Sequence, residues 1–109
     1  MEKRAFERLP VNLQARLFYG NMVYSGTVTN LSEKGMFVST KMGFAVESVF
    51  VIVVLPGENS LMVPIRVRRT VKPKNYLDSD VESGIGVEVF NAPQDYIDYV
   101  YRCKSLRSH

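Results

Sequence analysis

The chain has 109 residues, 46% of them apolar and 23% charged, with a formal net charge of +3. That is enough chain for one hydrophobic core, in the proportions of an ordinary globular domain. One cysteine, Cys103, excludes an internal disulfide framework. The one histidine is the terminal His109, which excludes a Ser-His or Cys-His nucleophile pair on an ordered element and a four-ligand zinc site.

Residues 1–10 carry no hydrophobic period and end in Leu9-Pro10, where the residue before proline is held away from helix. They read as a flexible lead-in, and no apolar stretch of a signal peptide follows Glu2-Lys3-Arg4. From Val11 to Tyr19 apolar residues alternate with Asn12, Gln14 and Arg16, the period of a half-buried strand. Gly20-Asn21 is a two-residue hairpin signal if both take positive φ, and Met22 to Thr29 returns as a second strand. Asn30-Leu31-Ser32-Glu33-Lys34-Gly35 reads as a turn into a short third strand, Met36 to Thr40. Lys41 to Ser48 has no clear period and reads as an irregular segment.

Val49 to Leu55 is wholly apolar and is expected to be a central strand covered on both sides. At seven residues it is far short of the roughly 20 needed to span a bilayer, so no membrane insertion is expected and the cytoplasm is the expected location. A composition-defined turn, Pro56 to Ser60, leads to a fifth strand, Leu61 to Val71. It carries Arg66 and Arg68 outward, and Pro64 marks an edge or a bulge. Lys72 to Glu82 reads as a long surface loop, and Ser83 to Phe90 as a sixth strand in which Gly84 and Gly86 permit a bend or a close approach. Asn91, Pro93 and Gln94 form an N-cap signature for an amphipathic helix at about 92–105. Tyr96, Ile97, Val100 and Cys103 lie on its apolar stripe, and Asp98 and Arg102 are placed to pair. The expected fold is all-β with a C-terminal helix: a six-stranded antiparallel barrel over 11–109, preceded by the 1–10 tail.

Catalytic chemistry is missing from this pattern. Asp78, Asp80 and Glu82 lack the glycine and the distal Glu of a calcium loop, and Gly84-Ile85-Gly86 lies inside a strand, without the third glycine of a dinucleotide fingerprint. No phosphate-binding P-loop is present. The expectation is a binding protein with neither metal nor cofactor, and not an enzyme.

Binding chemistry is present. Arg4 and Arg8 stand four apart before the first strand, and an arginine fork binds phosphate bidentately while its plane stacks on a flat base. Asn30 and Ser32 supply short polar groups and Gly35 a bare backbone, one wall against which a tail could close. R-x-x-x-R in a tail, followed about 20 residues later by [DN]-x-S-x-x-G between strands, resembles the PilZ domain family. The resemblance extends through Val53-Val54-Leu55-Pro56, the Val63 to Val71 strand and Gly84 to Phe90 to the closing helix.

What the resemblance implies is a six-stranded barrel that binds the bacterial second messenger cyclic di-GMP. Arg4 and Arg8 would grip phosphate and stack on guanine, and Asn30, Ser32 and Gly35 would line the barrel face. Lys3, Arg66 and Arg68 are weaker candidates for the same ligand. Lys3 stands where the family often has a third arginine, and Met36 where a second glycine is common, a place at which it would crowd the site. The function expected is a stand-alone receptor that orders its arginine tail over the ligand and signals through an unidentified effector protein. The alternative is a PilZ-like interaction adaptor that binds no nucleotide. A third reading, a basic barrel on nucleic acid, has the Arg66 to Lys74 cluster in its favour but lacks the aromatic platform of single-strand binders.

Overall fold

The computed structural model describes residues 8–72 and 83–107. Lys3, Arg4 and the acids Asp78, Asp80 and Glu82 lie outside them. The described residues form β1 (Leu9–Tyr19), β2 (Met22–Leu31), β3 (Gly35–Ser39), β4 (Val49–Leu55), β5 (Leu61–Val71), β6 (Gly84–Val89) and α1 (Gln94–Arg107). The strands close into an antiparallel barrel in the order β1-β2-β3-β6-β5-β4.

Alternation decides what fills it. Ala15 and Leu17 from β1, Ile52 and Val54 from β4, Val63, Ile65 and Val67 from β5 and Ile85 from β6 have no exposed surface. Each such Val, Leu or Ile contributes about 1.5–3 kcal/mol of transfer free energy.

The ladders slip in three places, between Pro10 and Leu13 in β1 and at two further points that set which side chains face outward. In β2 the pairing with β3 slips between Val28 and Asn30. Val28 and Leu31, three apart, therefore both point inward, with Asn30 outward between them. In β5 the pairing with β6 slips between Val67 and Arg69, so Arg68 and Arg69 are both exposed on the outside.

Several expectations change in detail. β1 starts at Leu9, so the lead-in is shorter than residues 1–10. Gly20 takes φ 62° but Asn21 does not share it, so the hairpin has positive φ at its first central residue only. β4 is not covered on both sides. Phe50, Ile52 and Val54 are buried, whereas Val51, Val53 and Leu55 are half-buried and Val49 is exposed, because only one face of the strand turns into the barrel. Pro64 lies in a closed barrel, not at an edge. Its carbonyl accepts from Phe90 N–H just past Val89, so its missing N–H falls where the β6 ladder ends. The helix starts later than its N-cap signature implied. Asn91 is left-handed at φ 49°, and the Pro93 carbonyl accepts from Tyr96 and Ile97 N–H. Asp98 accepts from Gln94 at 2.9 Å rather than pairing with Arg102.

The barrel is plugged at both ends. At the end bearing the β1–β2 hairpin, Phe44 folds in from the irregular segment 40–48 and is 4% exposed. Its ring lies 5.3 Å from Tyr19, 5.6 Å from Tyr24 and 5.0 Å from Phe50. At the other end α1 buries Tyr96 and Val100 completely, as the stripe predicts. Phe44 is the loop residue whose loss should cost most. Phe44→Ala is expected to lower stability by about 3–5 kcal/mol in urea unfolding, whereas the exposed neighbour Met42→Ala should change it by no more than about 0.5 kcal/mol. Equal effects would show that the ring is not part of the core.

Candidate functional site

The turn between β2 and β3 is built by one buried hydroxyl. Ser32, 3% exposed, accepts from the backbone N–H of Lys34 at 3.2 Å and of Gly35 at 3.3 Å, while its own N–H donates to the Gly35 carbonyl at 2.8 Å. Such local side-chain bonds give the backbone an alternative to continuing the strand. The turn is narrower than the sequence indicated, since Asn30 and Leu31 belong to β2 and Gly35 opens β3. Ser32 thus spends its hydroxyl on shaping the wall from inside.

Gly35 is required for close approach, not for positive φ. A Cβ there would lie 2.6 Å from the Val87 carbonyl oxygen and 3.4 Å from Arg8 Nη2. Arg8 therefore lies across bare backbone at the rim. Its Nη1 donates to Asn30 Oδ1 at 2.8 Å, a bond spanning 22 residues. Asn30 is within reach because the bulge turned it outward. The structure brings Arg8, Asn30 and Gly35 together on one rim, with Ser32 beneath them. Arg4 and Lys3 fall outside the described residues.

Met36 does not crowd this rim. It pairs with Leu31 and Val87 and points into the core with no exposed surface, the inward parity of β3. Arg66 and Arg68 are engaged by acids, one of which, Glu88, is the strand partner of both Gly35 and Arg66. Arg68 lies 3.2 Å from Glu47 and 3.7 Å from Glu88, Arg66 is 3.8 Å from Glu47, and the Arg66 guanidinium sits 5.7 Å from the Phe90 ring. Arg69 is the cation that the sequence reading missed on this side. Its side chain lies across Gly86 and its guanidinium 5.7 Å from the centre of the Phe37 ring, and Phe37 pairs with Asn30. Strict alternation turns Arg69 inward; the signal that reverses this is the Arg68-Arg69 doublet, which only a bulge lets face outward together.

Helix α1 grips the same turn from below. Tyr96 O–H donates to the Ser32 carbonyl at 2.7 Å, and Lys104 Nζ lies 2.6 Å from Glu33 Oε2. Burial pushes the Tyr96 phenol far above its ordinary range, so it stays a donor. Burial also works to raise the Glu33 pKa, but the Lys104 hydrogen bond and charge, with help from the backbone and Tyr101, outweigh it and hold the carboxyl below its ordinary value. Among the described residues no group of three or more His, Cys, Asp and Glu is placed to hold a metal ion, and no helix is long and apolar enough to cross a membrane.

Because the Glu33 carboxyl is held low in the folded state, its contribution to stability is present above the unfolded pKa and lost as pH falls through the folded value. Glu33→Gln should thus be less stable than the parent near pH 7, with the gap narrowing between about pH 5 and pH 3. Urea midpoints across that range check this, and a gap that widens on acidification would contradict it.

The family model described as PilZ domain matches residues 2–102. Among solved structures, the chain is similar to the PilZ domain of YcgR from Escherichia coli with c-di-GMP, at TM-score 0.71 and 13% identity, covering 98% of each chain. It is similar to the Bacillus subtilis inhibitor of motility MotI/DgrA, at TM-score 0.78 and 15% identity, covering 98% of this chain and 52% of that one. It is also similar to MrkH of K. pneumonia in a c-di-GMP complex, at TM-score 0.75 and 15% identity, covering 100% of this chain and 57% of that one. The chain thus spans about half the length of MotI and MrkH. No curated protein matches it significantly.

Proposed function

The chain belongs to the PilZ domain family, and from that premise we propose that it is a receptor for cyclic di-GMP that closes its N-terminal arginines over the ligand and signals through a partner protein. The observation that carries the reading is the Arg8–Asn30 hydrogen bond above the bare Gly35 backbone. It joins the two sequence motifs on one rim, an arginine fork beside an amide, on a floor with no side chain. The ligand's two phosphates call for cations and its guanines for flat surfaces. Arg4 and Arg8 supply both in this reading, Arg4 from the tail and Arg8 from the point where the tail meets β1. Arg69, held against Phe37, adds a third cation on the same side of the barrel.

In this reading Arg8 is already anchored and the residues before it do the closing. Order gained by the tail would change the surface next to the turn, and that surface is what a partner would sense. The turn itself is tied to α1 through Tyr96 and Lys104, so the helix is the first element to feel strain at the rim. Arg66 and Arg68, engaged by Glu47 and Glu88, have a lesser part. A cytoplasmic location goes with this reading.

Isothermal titration with cyclic di-GMP tests it, with cyclic di-AMP and GTP as controls. Binding is expected with the parent, and Arg8→Ala should weaken it by about 10- to 150-fold, the value of a charge-assisted contact of roughly 1.5–3 kcal/mol. Asn30→Ala should weaken it less, since Arg8 keeps its charge. A flat titration of the parent would favour the nucleotide-free adaptor, and binding unchanged by Arg8→Ala would remove the clamp.

A further inference from the structure

The outer faces of the barrel are unequal. One register row on the side away from the rim runs Val23, Phe18, Val51, Pro64 across β2, β1, β4 and β5, and the next places Val53 beside Met62. Val23 is 52% exposed, Phe18 44% and Met62 64%, while Val51 and Val53 are half-buried. The row and its neighbours run about 20 Å along β4 and about 14 Å across the strands, a face of roughly 280 Å². A patch of this size is ordinary for a monomer, and the largest such patch is often a functional one. The barrel order puts β4 opposite β3, so this face is separate from the Arg8–Asn30 rim.

One charge lies within it. Arg16 sits between Ser25 and Val53, next to Phe18 in the outward set of β1, and is half-buried. Its Nη1 donates to the Ala15 carbonyl at 3.1 Å, and among the described residues it forms no ion pair with a carboxylate. β1, β2 and β4 contain no Asp or Glu at all. A second copy docking through the same face would present the same guanidinium and no acid, so symmetric self-association would bury an unpaired charge, which is costly.

We propose that the β1–β4–β5 face is a docking surface for a different protein, one that offers an apolar patch with an Asp or Glu placed on Arg16. The apolar row supplies the contact area. Arg16 supplies the register and rejects partners without the acid. The polar border of Gln14, Ser25 and Thr27 extends the face toward the roughly 800 Å² per partner of a standard interface. The inference rests on the partner half of the proposed function and not on its ligand half.

The test places a photo-cross-linking benzoyl-phenylalanine at Val51 of the full chain, irradiates the cells that produce it, and maps the joined residue by mass spectrometry. The expected product is one heterologous protein, joined within an apolar segment that carries a carboxylate. Arg16→Glu should cut its yield by about tenfold or more, and exchange of that carboxylate for Arg in the partner should restore it. Should Arg16→Glu fail to fold by circular dichroism, Arg16→Gln carries the same comparison with a smaller loss. Arg8→Ala should leave the cross-link in place whatever titration says of the ligand, which separates failure here from failure of the receptor reading. A self-linked dimer, no product, a yield indifferent to Arg16, or no rescue by the exchanged charge would each overturn the proposal.

Discussion

The buried Ser32 hydroxyl is the contact from which the rim of this barrel is assembled. By accepting from Lys34 and Gly35 N–H it ends β2 and starts β3 within three residues. That abruptness brings Gly35 hard against the Val87 carbonyl and leaves backbone on which Arg8 can lie. A looser turn would lift Gly35 off β6 and take the floor from under the guanidinium. The turn is itself held by the Tyr96 hydroxyl on the Ser32 carbonyl. A side chain near the start of α1 thus secures the geometry of a turn 64 residues earlier, and the rim can be no more rigid than the seat of the helix.

The bulges do the aiming. Without the slip between Val28 and Asn30, strict alternation from Val28 would turn Asn30 inward and Leu31 outward. The extra residue lets both occupy the place their chemistry requires, Leu31 in the core and Asn30 opposite Arg8. The slip in β5 does the same for Arg69. In each case a departure from regular pleating falls where a polar side chain has to be re-aimed, at the cost of a locally broken ladder.

These departures also mark the limit of what could be read from the residues. Six strands, their order along the chain and the closing helix were legible, because alternation and turn residues are local signals. Arg8, Asn30 and Gly35 were legible as a set from their spacing, and the structure gathers them. Ser32's inward role was not, since a motif gives a residue's presence and not the direction of its hydroxyl. Met36 was misplaced for the same reason: its neighbour Gly35 faces out, and parity sends the next residue into the core. Arg69 was hidden by a bulge and Phe44 by an aperiodic loop, both of which depend on contacts made by distant strands. The partial exposure of β4 was missed because a wholly apolar strand reads as buried on both faces, and only closure of the barrel shows that one of them faces outward.

The open face bears on how a small barrel of this kind could relay a signal. Its interior holds Leu17, Ile52, Val54, Val63, Ile65 and Val67 with no exposed surface, and a packed core of this kind does not deform continuously. A partner seated on β1, β4 and β5 would therefore be held in much the same way whether or not the rim is filled. What the rim can alter is its own surroundings: the chain entering β1, the turn at Ser32, and α1, bonded to that turn at Tyr96 and Lys104. Holding and switching are then divided between opposite sides of the barrel. A partner large enough to reach from the apolar face around the α1 end would be bound by the first side and informed by the second.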